Sequence, residues 1–181
     1  EPRRAYPFGP LAASLVGFSN MDGAGVRGVE QQENEWLLGQ PRRIAVERDA
    51  RGQVLLGPGL DPTATAGGDI ALTIDVAMQA EAEQALADGI VSAKARGGFV
   101  VAIDPRNGEV LALAEVPRFD PNDFRRLRFP DTRARTFTDA VEPGSTFKTF
   151  LIAAALDAGA VRPTDVFDLR GGLYVPGKQI K

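Results

Sequence analysis

Apolar residues alternate at Ile70, Leu72 and Ile74, then change to helical spacing at Met78, Ala82, Leu86, Ile90 and Ala93. The first pattern predicts a half-buried strand. The second predicts an amphipathic helix over residues 76–95, with Asp75 as its N-cap. Residues 99–103 form an unbroken apolar run, which predicts a strand covered on both faces. Residues 110–114 are its partner, because the connection holds the Asn107-Gly108 pair that favours a tight hairpin. Residues 117–143 show no period and predict a long connection with short turns, of the kind that often sits at a functional site. The next helix, residues 146–158, carries Phe147, Leu151, Ala154 and Ala158 on one side, with Phe150, Ile152 and Ala153 elsewhere. It is apolar nearly all round and predicts a central, buried helix.

The pattern is weaker upstream. Residues 57–69 are rich in Gly and Pro and poor in large apolar groups, a linker composition that places a boundary near residue 66. Before it, residues 10–16 predict one or two helical turns closed by Gly17, and residues 30–38 a helix stopped at Gly39. Residues 44–48 and 53–56 predict a hairpin across the turn Asp49-Ala50-Arg51-Gly52. Such short elements bury little area, so this part leans on other structure. No internal repeat or low-complexity tract interrupts the chain.

Composition narrows the function classes. The chain has 181 residues, 44% hydrophobic and 25% charged, as an ordinary folded protein does. A net charge of -3 implies no general nucleic-acid surface. Arg118, Arg125, Arg126, Arg128, Arg133 and Arg135 nevertheless crowd one stretch. They predict either a solvated arginine-rich loop or a surface for an anionic polymer. There is no cysteine, which excludes disulfides, zinc–cysteine sites and thiol catalysis. The longest apolar run, residues 150–156, is too short to span a bilayer. No signal peptide opens the sequence, and the chain reads as a piece of something longer or a processed product.

The chain also has no histidine, so no Ser-His-Asp triad can be built from it. A serine nucleophile still needs a proton acceptor. Ser145 and Lys148 stand three residues apart after the Pro143-Gly144 turn. Residues at that spacing share a helix face, with Cβ atoms about 5–6 Å apart. A free lysine has a pKa of about 10.4, and burial can bring a catalytic one down to roughly 7–8. Ser145 at a helix start lies among unpaired backbone N–H groups, and its own N–H can serve as half of an oxyanion hole. The spacing alone arises by accident about once in a chain of this length. In the bland alternative Ser145 only caps the helix and Lys148 is a surface charge. The missing histidine, the Pro-Gly turn, the apolar helix and the long connection favour chemistry. A phosphate-loop reading fails at Phe147, which occupies the position where that motif needs glycine.

Residues 142–148, Glu-Pro-Gly-Ser-Thr-Phe-Lys, resemble the active-serine motif of class B penicillin-binding proteins. Other segments agree in order: Tyr6-Pro7-Phe8-Gly9 with Ala12, Ala13 and Gly17; Gly25 to Glu30 with Leu37-Leu38-Gly39; and the Arg48-Asp49-Ala50-Arg51-Gly52 turn. Leu72-Thr73-Ile74-Asp75 with Gln79 is similar to the start of the family's transpeptidase domain. Val101 to Pro105 with Gly108 to Ala112 resembles its first hairpin, and Pro117 to Asn122 the loop that follows. The likeness covers essentially the whole chain. Glu142 and the stretch from Asp168 to Ile180 resemble the cell-division branch more than the elongation branch.

The resemblance implies an α+β fold, with residues 1–66 forming part of a non-catalytic pedestal (dimerisation) domain. Residues 67–181 would be the first portion of a β-lactamase-like serine transpeptidase domain. It implies a D,D-transpeptidase of septal wall synthesis that works through a serine acyl-enzyme, with Ser145 as nucleophile and Lys148 as the acylation base. The substrates would be peptidoglycan stem peptides ending in D-Ala-D-Ala, with β-lactams as mimics and no metal or organic cofactor. The implied partners are a membrane glycosyltransferase and other division proteins, and no nucleic acid. The implied location is the outer side of a bacterial cytoplasmic membrane, with the single-pass anchor absent here. Two further family motifs, Ser-x-Asn and Lys-[Thr/Ser]-Gly, do not occur in the sequence. Ala134 stands where the division branch commonly has asparagine. The chain should therefore carry the nucleophile without a complete site, be inactive alone, and need a second chain or fragment. The alternative is a non-catalytic pedestal piece that binds division-complex partners.

Overall fold

A computed structural model describes residues 4–39, 47–48, 50–51, 53–55, 66–123, 126–168, 170 and 173–180. The chain divides into two compact units, Glu1–Asp139 and Ala140–Lys181. Helices and strands are mixed in both, and the strands pair as antiparallel hairpins.

In the first unit, a series of turns leads into α1 (Ala13–Val16), which Gly17 closes. Strands β1 (Phe18–Ser19) and β2 (Gly25–Arg27) pair, and two short helices follow, α2 (Gly28–Gln32) and α3 (Asn34–Leu38). The backbone crosses itself tightly here. A Cβ on Gly17 would lie 1.7 Å from the Arg27 carbonyl oxygen, and one on Gly28 would lie 2.3 Å from that of Leu15. Both glycines also have positive φ, so no other residue fits either position. Strands β3 (Glu47–Arg48) and β4 (Val54–Leu55) supply the anticipated second hairpin. Residues 44–46, 49, 52 and 56, and most of the 57–69 linker, lie outside the described residues.

Helix α4 (Val76–Ala93) begins where sequence predicts, with the Asp75 carboxylate accepting from the Met78 N–H at 2.8 Å. It lies against a hairpin of β5 (Gly98–Ile103) and β6 (Val110–Val116). Three expectations need correction. Residues 70–74 form no strand, because the segment meets β6 only through Asp75 N–H to the Leu111 carbonyl and the Thr73 hydroxyl to Val110. The buried positions of α4 are Gln79 and Glu83, while Met78 is 43% exposed. The inward face therefore keeps Ala82, Leu86 and Ile90 of the apolar stripe, half-buried with the last two beside Gly98, and adds the polar Gln79 and Glu83 to it. Finally, β6 is the buried strand, with Ala112, Leu113 and Ala114 covered. Strand β5 is an edge whose Phe99, Val100, Val101 and Ile103 stay exposed.

The connection after β6 contains a 3-10 turn, Phe129–Thr132, and α5 (Arg135–Thr138). It docks on the N-terminal segment. Phe119 packs edge-on against Phe18 in a small core with Ala13, bordered by Tyr6, Val26 and Leu127. The Asn122 side chain accepts from the Tyr6 N–H at 3.1 Å and donates to its carbonyl at 2.9 Å. The described arginines of this stretch are ion-paired: Arg118 with Glu83, Arg126 with Asp123, Arg128 with Asp131, and Arg133 and Arg135 with Asp139. These pairs are intramolecular, and Arg126 and Arg128 remain largely exposed.

The second unit holds a 3-10 turn, Gly144–Thr146, then α6 (Phe147–Asp157) and a hairpin of β7 (Leu173–Val175) and β8 (Lys178–Ile180). The predicted central helix is not buried: Phe147, Phe150, Leu151 and Ile152 are all exposed. A helix that is apolar all round still needs other elements to cover it, and the described residues of its own unit are too few to do so. Among the described residues, no helix is long and apolar enough to cross a membrane.

Candidate active site

Pro143 has helical φ and ψ, Gly144 turns at φ 54°, and the 3-10 turn then runs straight into α6. Ser145 therefore sits within the 3-10 turn, two residues before the α-helix proper. The Thr146 hydroxyl donates back to the Pro143 carbonyl, while neither helical segment has a side-chain cap. The bland role for Ser145, as an N-cap, is thus not the one it adopts. Instead its Oγ accepts a hydrogen bond from the Lys148 Nζ at 3.2 Å. The structure brings the two predicted residues together, on one helical turn, as their spacing requires.

The setting differs from expectation in one respect. Both side chains are exposed, so the described residues do not bury the pair as the sequence predicts. The helix start does supply its part. Backbone N–H groups in the first turn lack intrahelical acceptors, and Ser145 N–H is in that group. The arrangement can present a nucleophilic hydroxyl, an amine in contact with it, and one N–H for a developing oxyanion. Among the described residues no group of three or more His, Cys, Asp or Glu is placed to hold a metal ion.

Sequence reasoning missed a second polar centre, buried in the first unit. The Gln79 amide accepts from the Leu113 N–H at 2.7 Å and donates to the Leu113 carbonyl at 2.8 Å, as a neighbouring strand would. It also donates to Glu83 Oε1 at 2.8 Å. Further along β6, the buried Glu115 carboxylate accepts from the Arg135 and Thr136 N–H groups and so caps α5. Gln79 and Asn122 stand among the residues that carry the family likeness. Glu83 and Glu115 gave no signal, since a charged residue on a helix or strand ordinarily reads as solvent-facing.

Residues 98–181 match the model of the penicillin binding protein transpeptidase domain. Residues 98–181 are thus a portion of a penicillin-binding protein transpeptidase domain, and the chain is similar over nearly its whole length to part of the class B penicillin-binding proteins. It is 38% identical over 169 residues to peptidoglycan D,D-transpeptidase FtsI of Escherichia coli K12, covering 93% of this chain and 28% of that protein. It is 39% identical over 161 residues to the probable peptidoglycan D,D-transpeptidase PenA of Neisseria gonorrhoeae, covering 88% of this chain and 28% of the relative. Penicillin binding protein 3 of Mycobacterium tuberculosis superposes with a TM-score of 0.75 at 27% identity, over 98% of this chain and 36% of that one. That protein has also been solved with aztreonam and with ampicillin. The chain thus spans between a quarter and two fifths of these relatives.

Proposed function

We propose that this chain carries the nucleophile of a peptidoglycan D,D-transpeptidase of the division branch. The contact between Lys148 Nζ and Ser145 Oγ at 3.2 Å carries the reading. In the proposed reaction Lys148, as the free amine, takes the Ser145 proton while Oγ attacks the D-Ala-D-Ala carbonyl of a stem peptide. The Ser145 N–H at the helix start stabilises the tetrahedral oxyanion. Collapse breaks the peptide bond, and the terminal D-Ala leaves as an amine with the proton returned from Lys148. The acyl-enzyme ester is then attacked by an amine of a neighbouring stem peptide, which forms the cross-link and frees Ser145. β-Lactams acylate the same oxygen, a reading supported by the two drug complexes of the related protein 3.

Residues 1–66 form the pedestal part and residues 67–181 the start of the transpeptidase domain in this reading. The Ser-x-Asn and Lys-[Thr/Ser]-Gly groups absent from this sequence would come from chain outside it and would close over Lys148 and α6. The exposure of both site residues supports the companion expectation that the 181 residues alone do not turn over. The whole protein acts on the outer face of the cytoplasmic membrane, with a glycosyltransferase and other division proteins as partners.

Labelled penicillin tests this on the complete gene product. The expected result is one covalent adduct on the peptide containing Ser145, abolished in Ser145→Ala. An adduct elsewhere, or none in a folded protein, refutes the assignment.

A further inference from the structure

Glu83 is a buried carboxylate with no part in the proposed chemistry, its side chain 5% exposed. Three donors contact it, in a setting that also includes the Glu115 carboxylate on a small shared cavity. Oε1 accepts from the Ala12 N–H at 2.7 Å and from the Gln79 amide at 2.8 Å. Oε2 pairs with the Arg118 guanidinium. An ionised carboxylate is acceptor-only and suits three donors, whereas a glutamine would turn its own NH2 against one of them. The three donors belong to separate parts of the chain: the N-terminal segment, α4, and the connection that leaves β6.

Ala12 adds a second observation. It is one of two described non-glycine residues with positive φ, at 51°. A left-handed backbone is unfavourable for an L-residue, so this conformation persists only while its surroundings hold it. The Ala12 N–H has Glu83 as its acceptor, and the turn it sits in opens α1.

We propose that Glu83 is a coupling residue: its two oxygens tie the position of the N-terminal segment at Ala12 to that of Arg118, near the start of the connection that runs to Ser145. A carboxylate is rigid, so any rotation that carries Oε2 to a new position moves Oε1 with it. Removing Arg118 leaves a buried charge short of a counter-ion, which is costly. The side chain then rotates toward water, withdraws Oε1 from Ala12, and lets the strained residue relax. Arg118 and Ala12 are thereby coupled through a residue that both touch.

The test is amide hydrogen exchange, read residue by residue in the complete gene product, and it does not depend on the catalytic reading. In Arg118→Ala the Ala12 amide should exchange about tenfold faster, while the β5–β6 ladder amides keep their wild-type rates. Arg118→Lys, which keeps the cation, should restore most of the protection. An unchanged Ala12 rate in Arg118→Ala, with a faster one in Glu83→Ala, overturns the coupling, because the two oxygens would then act independently. Equal acceleration at Ala12 and throughout the ladder also overturns it, as general destabilisation.

Discussion

Gln79 shows how a polar residue can serve a core. Its amide completes both backbone groups of Leu113, and it is fully buried. Gln79→Leu would leave a buried N–H and a buried carbonyl without partners, at about 1–3 kcal/mol each. The expected loss is roughly 2–6 kcal/mol, seen as a lower urea midpoint with an unchanged slope. No loss would mean that water replaces the amide. Asp104 behaves differently, because its partner is local. Hydrogen bonds from the Arg106 side chain hold its carboxyl below the usual carboxylate range. A depressed folded pKa gives stability that is present above the unfolded value and lost as pH falls through the folded one. Arg106→Ala should therefore raise the Asp104 midpoint toward the ordinary range in an NMR titration. The contact between Ser145 and Lys148 was legible from spacing read together with the missing histidine and the Pro143-Gly144 turn, whereas the inward roles of Gln79 and Glu83 were not. Periodicity weighs hydrophobicity, so an inward polar residue that satisfies backbone looks like an outward one.

At the scale of elements, local chemistry was read well and coverage was not. The Asp75 cap, the Gly17 and Gly39 stops and the Asn107-Gly108 hairpin all follow from one or two residues, and all are present. Asp75→Ala should cost about 1 kcal/mol by removing the acceptor for Met78 N–H, and thermal unfolding of the variant measures it. Which face an element buries depends on distant neighbours. Strand β5 and helix α6 both have the composition of elements covered all round, yet each leaves large apolar side chains exposed. The alternating residues 70, 72 and 74 did not become a strand because a ladder needs a partner in register. The Tyr6 and Asn122 motifs, more than a hundred positions apart, have a shared physical meaning only in the fold, where one pairs the other's backbone.

The whole molecule is two compact units with much apolar surface on α6 and β5. Exposed apolar surface of this kind ordinarily marks a face that packs on other structure. An open, apolar edge such as β5 also invites pairing with another strand. The 181-residue chain by itself should therefore self-associate with rising concentration in sedimentation velocity, and bind a hydrophobic dye. A monodisperse monomer without dye binding would show that these faces are already protected.

The central claim is that Lys148 activates Ser145, and the acylation rate constant with a β-lactam measures it most directly. In the complete gene product, Lys148→Ala should acylate about 10²–10⁴-fold more slowly than wild type, as loss of a general base predicts, with Ser145 still the residue modified. Acylation of Lys148→Ala at the wild-type rate would contradict the account.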